Sequence, residues 1–102
     1  MKIIIESPHF QISDSLTDFI TERVARLAKL NHHLVCIEVN LTREGSGSKE
    51  KKVCTIILSQ KGKDYVVNSK SVIFDDAVSK AVDVMMKRLR REKRKKLTAR
   101  MK

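Results

Sequence analysis

Tryptophan is absent from this chain, and the other aromatics come to one tyrosine and three phenylalanines: Phe10, Phe19, Tyr65 and Phe74. So few rings argue against a surface that stacks successive bases of a single strand. There are two cysteines, Cys36 and Cys54, far apart and without C-x-x-C spacing. They read as reduced residues of the sheet or core, with no disulfide framework and no structural metal site. No apolar run approaches the ~18 residues of a membrane span. The N-terminus lacks the charged, apolar and small-residue signal pattern, and the expectation is a cytoplasmic protein. Catalytic signatures are missing too. No Gly-rich phosphate loop precedes a helix, and neither G-x-S-x-G nor H-E-x-x-H occurs. We expect no enzyme, no cofactor and no small-molecule substrate.

Acidic charge is also scarce, in one place only. Residues 1–86 carry 12 Lys/Arg against 11 Asp/Glu, whereas residues 87–102 carry 10 against Glu92 alone. Nearly all of the chain's net charge of +10 therefore sits in its last sixteen residues. Such a block repels itself and gains most by neutralising a dense polyanion. It follows in register from an apolar stripe, Phe74, Ala77, Val78, Ala81, Val82, Met85 and Leu89, whose three-and-four spacing predicts a buried helix face. One helix over about 74–96 thus joins a packed foot to a cationic arm of Lys87, Arg88, Arg90, Arg91, Lys93, Arg94, Lys95 and Lys96, with residues 97–102 free to fray.

At 102 residues, the chain is expected to form one domain. Lys2–Glu6 reads as a short strand ended by Pro8, with Ile3 and Ile5 on one face. Ser13 suits an N-cap for a helix over about 14–29, followed by Asp14 at the positive end of the dipole. Leu16, Phe19, Ile20, Val24, Leu27 and Ala28 form its apolar stripe; Arg23, Arg26 and Lys29 line one flank, and Asn31 is the expected C-cap. Residues 34–42 alternate, placing Val35, Ile37, Val39 and Leu41 on one face. A polar loop is expected over 43–52, then a strand over 53–59 with Cys54, Ile56 and Leu58 inward. A turn at 60–63 and a last strand over 64–68 complete the sheet.

The order is β-α-β-β-β-α. It predicts an α+β fold: a four-stranded mixed sheet with both amphipathic helices on one face. The first crossover should be right-handed and join parallel strands, and the rest should form an antiparallel meander. In element order this resembles a double-stranded RNA-binding domain, which reads backbone shape with little base specificity.

Three paired features suggest chemistry but have simpler explanations. His32-His33 lacks a third ligand and reads as a surface pair at a helix end. Asp75-Asp76 suits a helix N-terminus. Met85-Met86 reads as core filling. Of the partners for the arm, a membrane surface is disfavoured because Leu89 is the only apolar residue in 87–96. DNA-reading helices commonly offer Asn or Gln on a helix-turn-helix scaffold, which is not evident here. RNA phosphate fits best; an acidic protein partner remains the alternative of a different class.

The residues also resemble a known family. Phe74-Asp75-Asp76-Ala77-Val78, Ala81-Val82-Asp83, Met85, Arg88-Leu89, Arg91 and Lys93 follow the last-helix pattern of the ribosome hibernation promoting factors, also called ribosome-associated translation inhibitors or sigma-54 modulation proteins. Ser13, Phe19-Ile20, Arg23, Arg26 and Leu27 match the first helix. Two positions depart from the pattern: Arg88 replaces a usual Gln, and Val84 stands at a commonly basic position. The resemblance is to the short form without a dimerisation domain, so a free monomer is expected, and pairing of ribosomes by this chain alone is not.

The resemblance implies a translation inhibitor of slow growth or stress. It would occupy the decoding channel of the small ribosomal subunit, alone or within whole ribosomes, and exclude messenger and transfer RNA. Contacts to ribosomal RNA would come from Arg23, Arg26, Lys29 and the cationic arm. A general RNA- or DNA-binding regulatory module acting off the ribosome is the competing expectation.

Overall fold

The computed structural model describes the backbone of residues 2–100 and the side chains of residues 2–93. Strand β1 (Lys2–Glu6) leads to helix α1 (Asp14–Leu30), then to β2 (Leu34–Glu44), β3 (Lys51–Gln60), β4 (Lys63–Ser71) and helix α2 (Phe74–Arg100). The strands lie side by side in chain order; β1 is parallel to β2, and the other pairings are antiparallel.

Local chemistry accounts for the ends of α1. The Ser13 hydroxyl accepts from the Leu16 N–H at 3.1 Å, while the Ser13 carbonyl accepts from the Thr17 N–H at 3.0 Å. Donors otherwise orphaned in the first turn are thereby satisfied. Asn31 closes the helix from an extended backbone conformation (φ −145°), not the left-handed one of a common C-cap. Its side chain makes the stop: Oδ1 accepts from the His33 N–H at 2.9 Å, and Nδ2 donates to Gln60 Oε1 at 2.7 Å. The turn after α1 is thus tied to the end of β3.

The core is one cluster between the two helices and a single sheet face. Ile20, Val24 and Leu27 of α1 and Ala77, Val78, Ala81, Val82, Met85 and Leu89 of α2 are buried in it. Beneath them lie Ile37, Val39, Leu41, Cys54, Ile56, Leu58, Tyr65 and Val67. Among the described residues no helix covers the opposite sheet face, where Ile4, Glu38, Ile57 and Val66 form one cross-strand row.

The sheet departs from the sequence expectation in three ways. Leu34 is buried and Val35 is 60% exposed, the reverse of strict alternation. A register shift between Leu34 and Cys36 inserts an extra residue opposite β3 and turns Val35 outward. Second, the expected polar loop over 43–52 shrinks to residues 45–50, because Arg43 and Glu44 pair with Lys52 and Lys51. Gly45 makes the tight return possible at φ +81°, where an added Cβ would stand 2.8 Å from the Lys49 carbonyl oxygen. Third, β4 extends to Ser71, three residues past its expected end.

Candidate nucleic-acid interface

Charge along each helix follows its dipole. In α1, Asp14, Asp18 and Glu22 precede Arg23, Arg26 and Lys29; in α2, Asp75, Asp76 and Asp83 precede Lys87, Arg88, Arg90, Arg91 and Lys93. Acids near the positive end and bases near the negative end stabilise the helices themselves. Such segregation need not build a binding surface. Packing brings the two basic segments to one end of the fold. Leu16 and Phe19 share a hollow with Phe74 and Asp75, while Leu30 and Asn31 share another with Leu89 and Lys93. The helices therefore run in the same direction, and their basic ends lie at the same end of the molecule.

Within that end the basic side chains differ in availability. Lys87, Arg90 and Arg91 are exposed on the side of α2 away from the buried stripe. Arg26 and Lys29 are exposed on α1, where Arg26 reaches Glu22 only at 4.0 Å. Arg23 is half-buried, its guanidinium 5.0 Å from the centroid of Phe19. Arg88 is exposed as well but is engaged with the sheet edge: it donates to the Val66 carbonyl at 3.0 Å and lies 5.3 Å from the Tyr65 ring centroid. The sequence places Arg88 with the arm; the structure gives it a second task as a tie to β4. The side chains of Arg94, Lys95 and Lys96 lie outside the described residues.

The arm projects for a geometric reason. Glu92 pairs with Lys63, the first residue of β4, at 3.4 Å. Beyond that point α2 continues to Arg100, four residues further than expected. At 1.5 Å per residue its 27 residues span about 40 Å. The molecule measures 54 Å along its longest axis against 26 and 21 Å across. A rod rooted in a packed core keeps its charges in fixed order along one line, which a frayed tail would not.

Other basic residues are partly committed elsewhere. Arg43 and Lys52 both face Glu50, at 3.7 and 3.2 Å, and they lie over the stacked rings of Phe10 and Phe74. Lys70 pairs with Glu44 at 2.7 Å. Among the described residues, no three His, Cys, Asp or Glu side chains are grouped to hold a metal ion. Cys36 and Cys54 are free thiols.

The profile of the family described as sigma 54 modulation protein / S30EA ribosomal protein matches residues 3–97. The chain belongs to that family. Family membership makes it a ribosome-binding protein of translation regulation and ribosome hibernation. Solved structures share the fold. A ribosomal subunit interface protein from Coxiella burnetii superposes with a TM-score of 0.77 at 16% identity, covering 91% of this chain and 98% of that one. The N-terminal domain of Thermus thermophilus Protein Y gives 0.70 at 22% identity, covering 88% and 93%. No curated protein is similar enough in sequence to count as a match.

Proposed function

We propose that the chain inhibits translation by occupying the decoding channel of the small ribosomal subunit, where its basic end neutralises ribosomal RNA phosphates and its body excludes messenger and transfer RNA. The observation that carries this reading is the gathering of both helices' basic ends at one end of the fold, with α2 continuing past the sheet. Arg26, Lys29, Lys87, Arg90, Arg91 and Lys93 supply the phosphate contacts, with Arg94, Lys95 and Lys96 further along the arm. Arg23 and Arg88 contribute from positions already braced against Phe19 and against β4. Contacts of this kind set position and carry no base identity.

Inhibition is then steric. No bond is made or broken, and no cofactor is required. A channel walled by phosphate rewards a rigid cationic rod over a flexible tail, because less conformational entropy is lost on binding. The protein acts in the cytoplasm as a monomer. Competition on isolated small subunits tests the reading: transfer RNA should displace the protein, and the protein should displace transfer RNA. Simultaneous, independent binding of the two would rule out occupancy of the decoding channel.

A further inference from the structure

At the root of the arm the chain encloses a hollow of about 230 Å³, walled by Leu30, Leu89 and Tyr65 and rimmed by His32, His33 and Lys93. We infer that this hollow receives one unpaired RNA base, with the imidazoles of His32 and His33 against the base and Lys93 on its phosphate. The inference rests on the reading of the chain as an RNA binder and adds a base contact to a surface otherwise made for phosphate.

Several features converge on that occupant. The floor is apolar, and its volume suits a single small ring system better than an extended ligand. Both histidines are exposed, and neither imidazole makes a hydrogen bond among the described residues; only the His33 main chain is engaged, through Asn31. The turn carrying them is held by the Asn31–Gln60 bond at 2.7 Å, so the rim is formed before any ligand arrives. The one acid of the lining, Glu92, is paired with Lys63, leaving the mouth positive. An RNA strand drawn along Arg90, Arg91 and Lys93 by its phosphates would therefore bring a base to the opening. Splayed bases in unpaired RNA stack on exposed imidazoles such as these, with buried Tyr65 serving only as part of the floor, and a duplex has no such bases to offer. The scarcity of aromatics in the sequence argues against stacking recognition; folding sets two exposed imidazoles over one apolar floor.

The test uses the full chain with two single-stranded probes, an adenine hexaribonucleotide and the same ribose-phosphate hexamer without bases. The base-bearing oligomer should bind roughly five- to a hundredfold tighter than the abasic one. In amide and imidazole NMR spectra it alone should shift His32, His33 and Tyr65. The double variant His32→Ala/His33→Ala, altered at two exposed positions, should bring the two affinities close together. Arg90→Glu/Arg91→Glu should weaken both alike. Equal affinity of the wild-type chain for the two oligomers would overturn the base site while leaving the phosphate reading in place. Failure of both to bind would overturn the two together.

Discussion

The Arg88 guanidinium donates to the main-chain carbonyl of Val66 across 3.0 Å, fastening the charged half of α2 to the free edge of β4. It also lies 5.3 Å from the centroid of Tyr65, with the Lys63 ammonium 5.0 Å from the same ring. The arm's direction relative to the sheet depends on this tie as well as on Leu89, which is buried beside it.

Replacing Arg88 by Met should therefore lower stability by about 1 kcal/mol, the usual net worth of such a bond at a partly solvated site. Arg91→Met, removing a charge exposed to solvent, should change it by less than about 0.5 kcal/mol. Urea unfolding of the two variants makes the comparison. Equal effects would mean that the Val66 contact contributes nothing.

Gly45 and Gly47 both have positive φ, yet only Gly45 faces a wall. A Cβ there would meet the Lys49 carbonyl oxygen at 2.8 Å, whereas at Gly47 it would meet nothing within 4 Å. Gly47→Ala should cost about 1 kcal/mol, the conformational penalty alone, and Gly45→Ala distinctly more. Thermal melts decide it; an equal fall in Tm would show that the β2–β3 return relaxes freely.

Burial pushes the Cys54 thiol from 9.0 up to about 12. The folded state holds this proton more tightly than the unfolded chain, so the associated stability is fully present below pH 9 and lost as pH climbs toward 12. The slope approaches 1.4 kcal/mol per pH unit in that window. Unfolding free energies at pH 8 and pH 10.5 should thus fall further apart for the wild type than for Cys54→Ala. Thiol alkylation at pH 8 should label half-exposed Cys36 and spare Cys54 until the protein unfolds. Equal labelling of the two would contradict the burial.

Much of the fold is legible in the residues. Three-and-four spacing at Ala77, Val78, Ala81, Val82, Met85 and Leu89 fixes the buried face of α2, because only a helix brings those positions together. Alternation from Ile37 to Leu41 does the same for β2. Alternation fails at Val35, since a bulge depends on the partner strand and leaves no mark on period. Composition misleads at both ends of 43–52, where polar Arg43, Glu44, Lys51 and Lys52 belong to a ladder whose outer face is solvated.

The candidate site divides the same way. Charge accounting locates the arm, because Lys and Arg are visible one at a time. It does not reveal that α1 and α2 run parallel, which is what places Arg26 and Lys29 at the arm's end of the molecule. Nor does it separate Arg88 from Arg91: residues three apart on a helix differ by only about 60° in direction, and only the position of β4 decides which one it occupies. His32-His33, unremarkable as a surface pair, gains meaning only from the hollow that folding builds beside it.

The central claim is that phosphate neutralisation by this basic end holds the chain on the small subunit. Its most direct test is the salt dependence of binding to isolated small subunits, for the wild type and for Arg90→Glu/Arg91→Glu. The wild-type affinity should fall steeply with salt, as for roughly 6–10 neutralised phosphates, and the variant should bind far more weakly with a visibly shallower slope. A flat wild-type dependence, or a variant that binds as the wild type does, would contradict it.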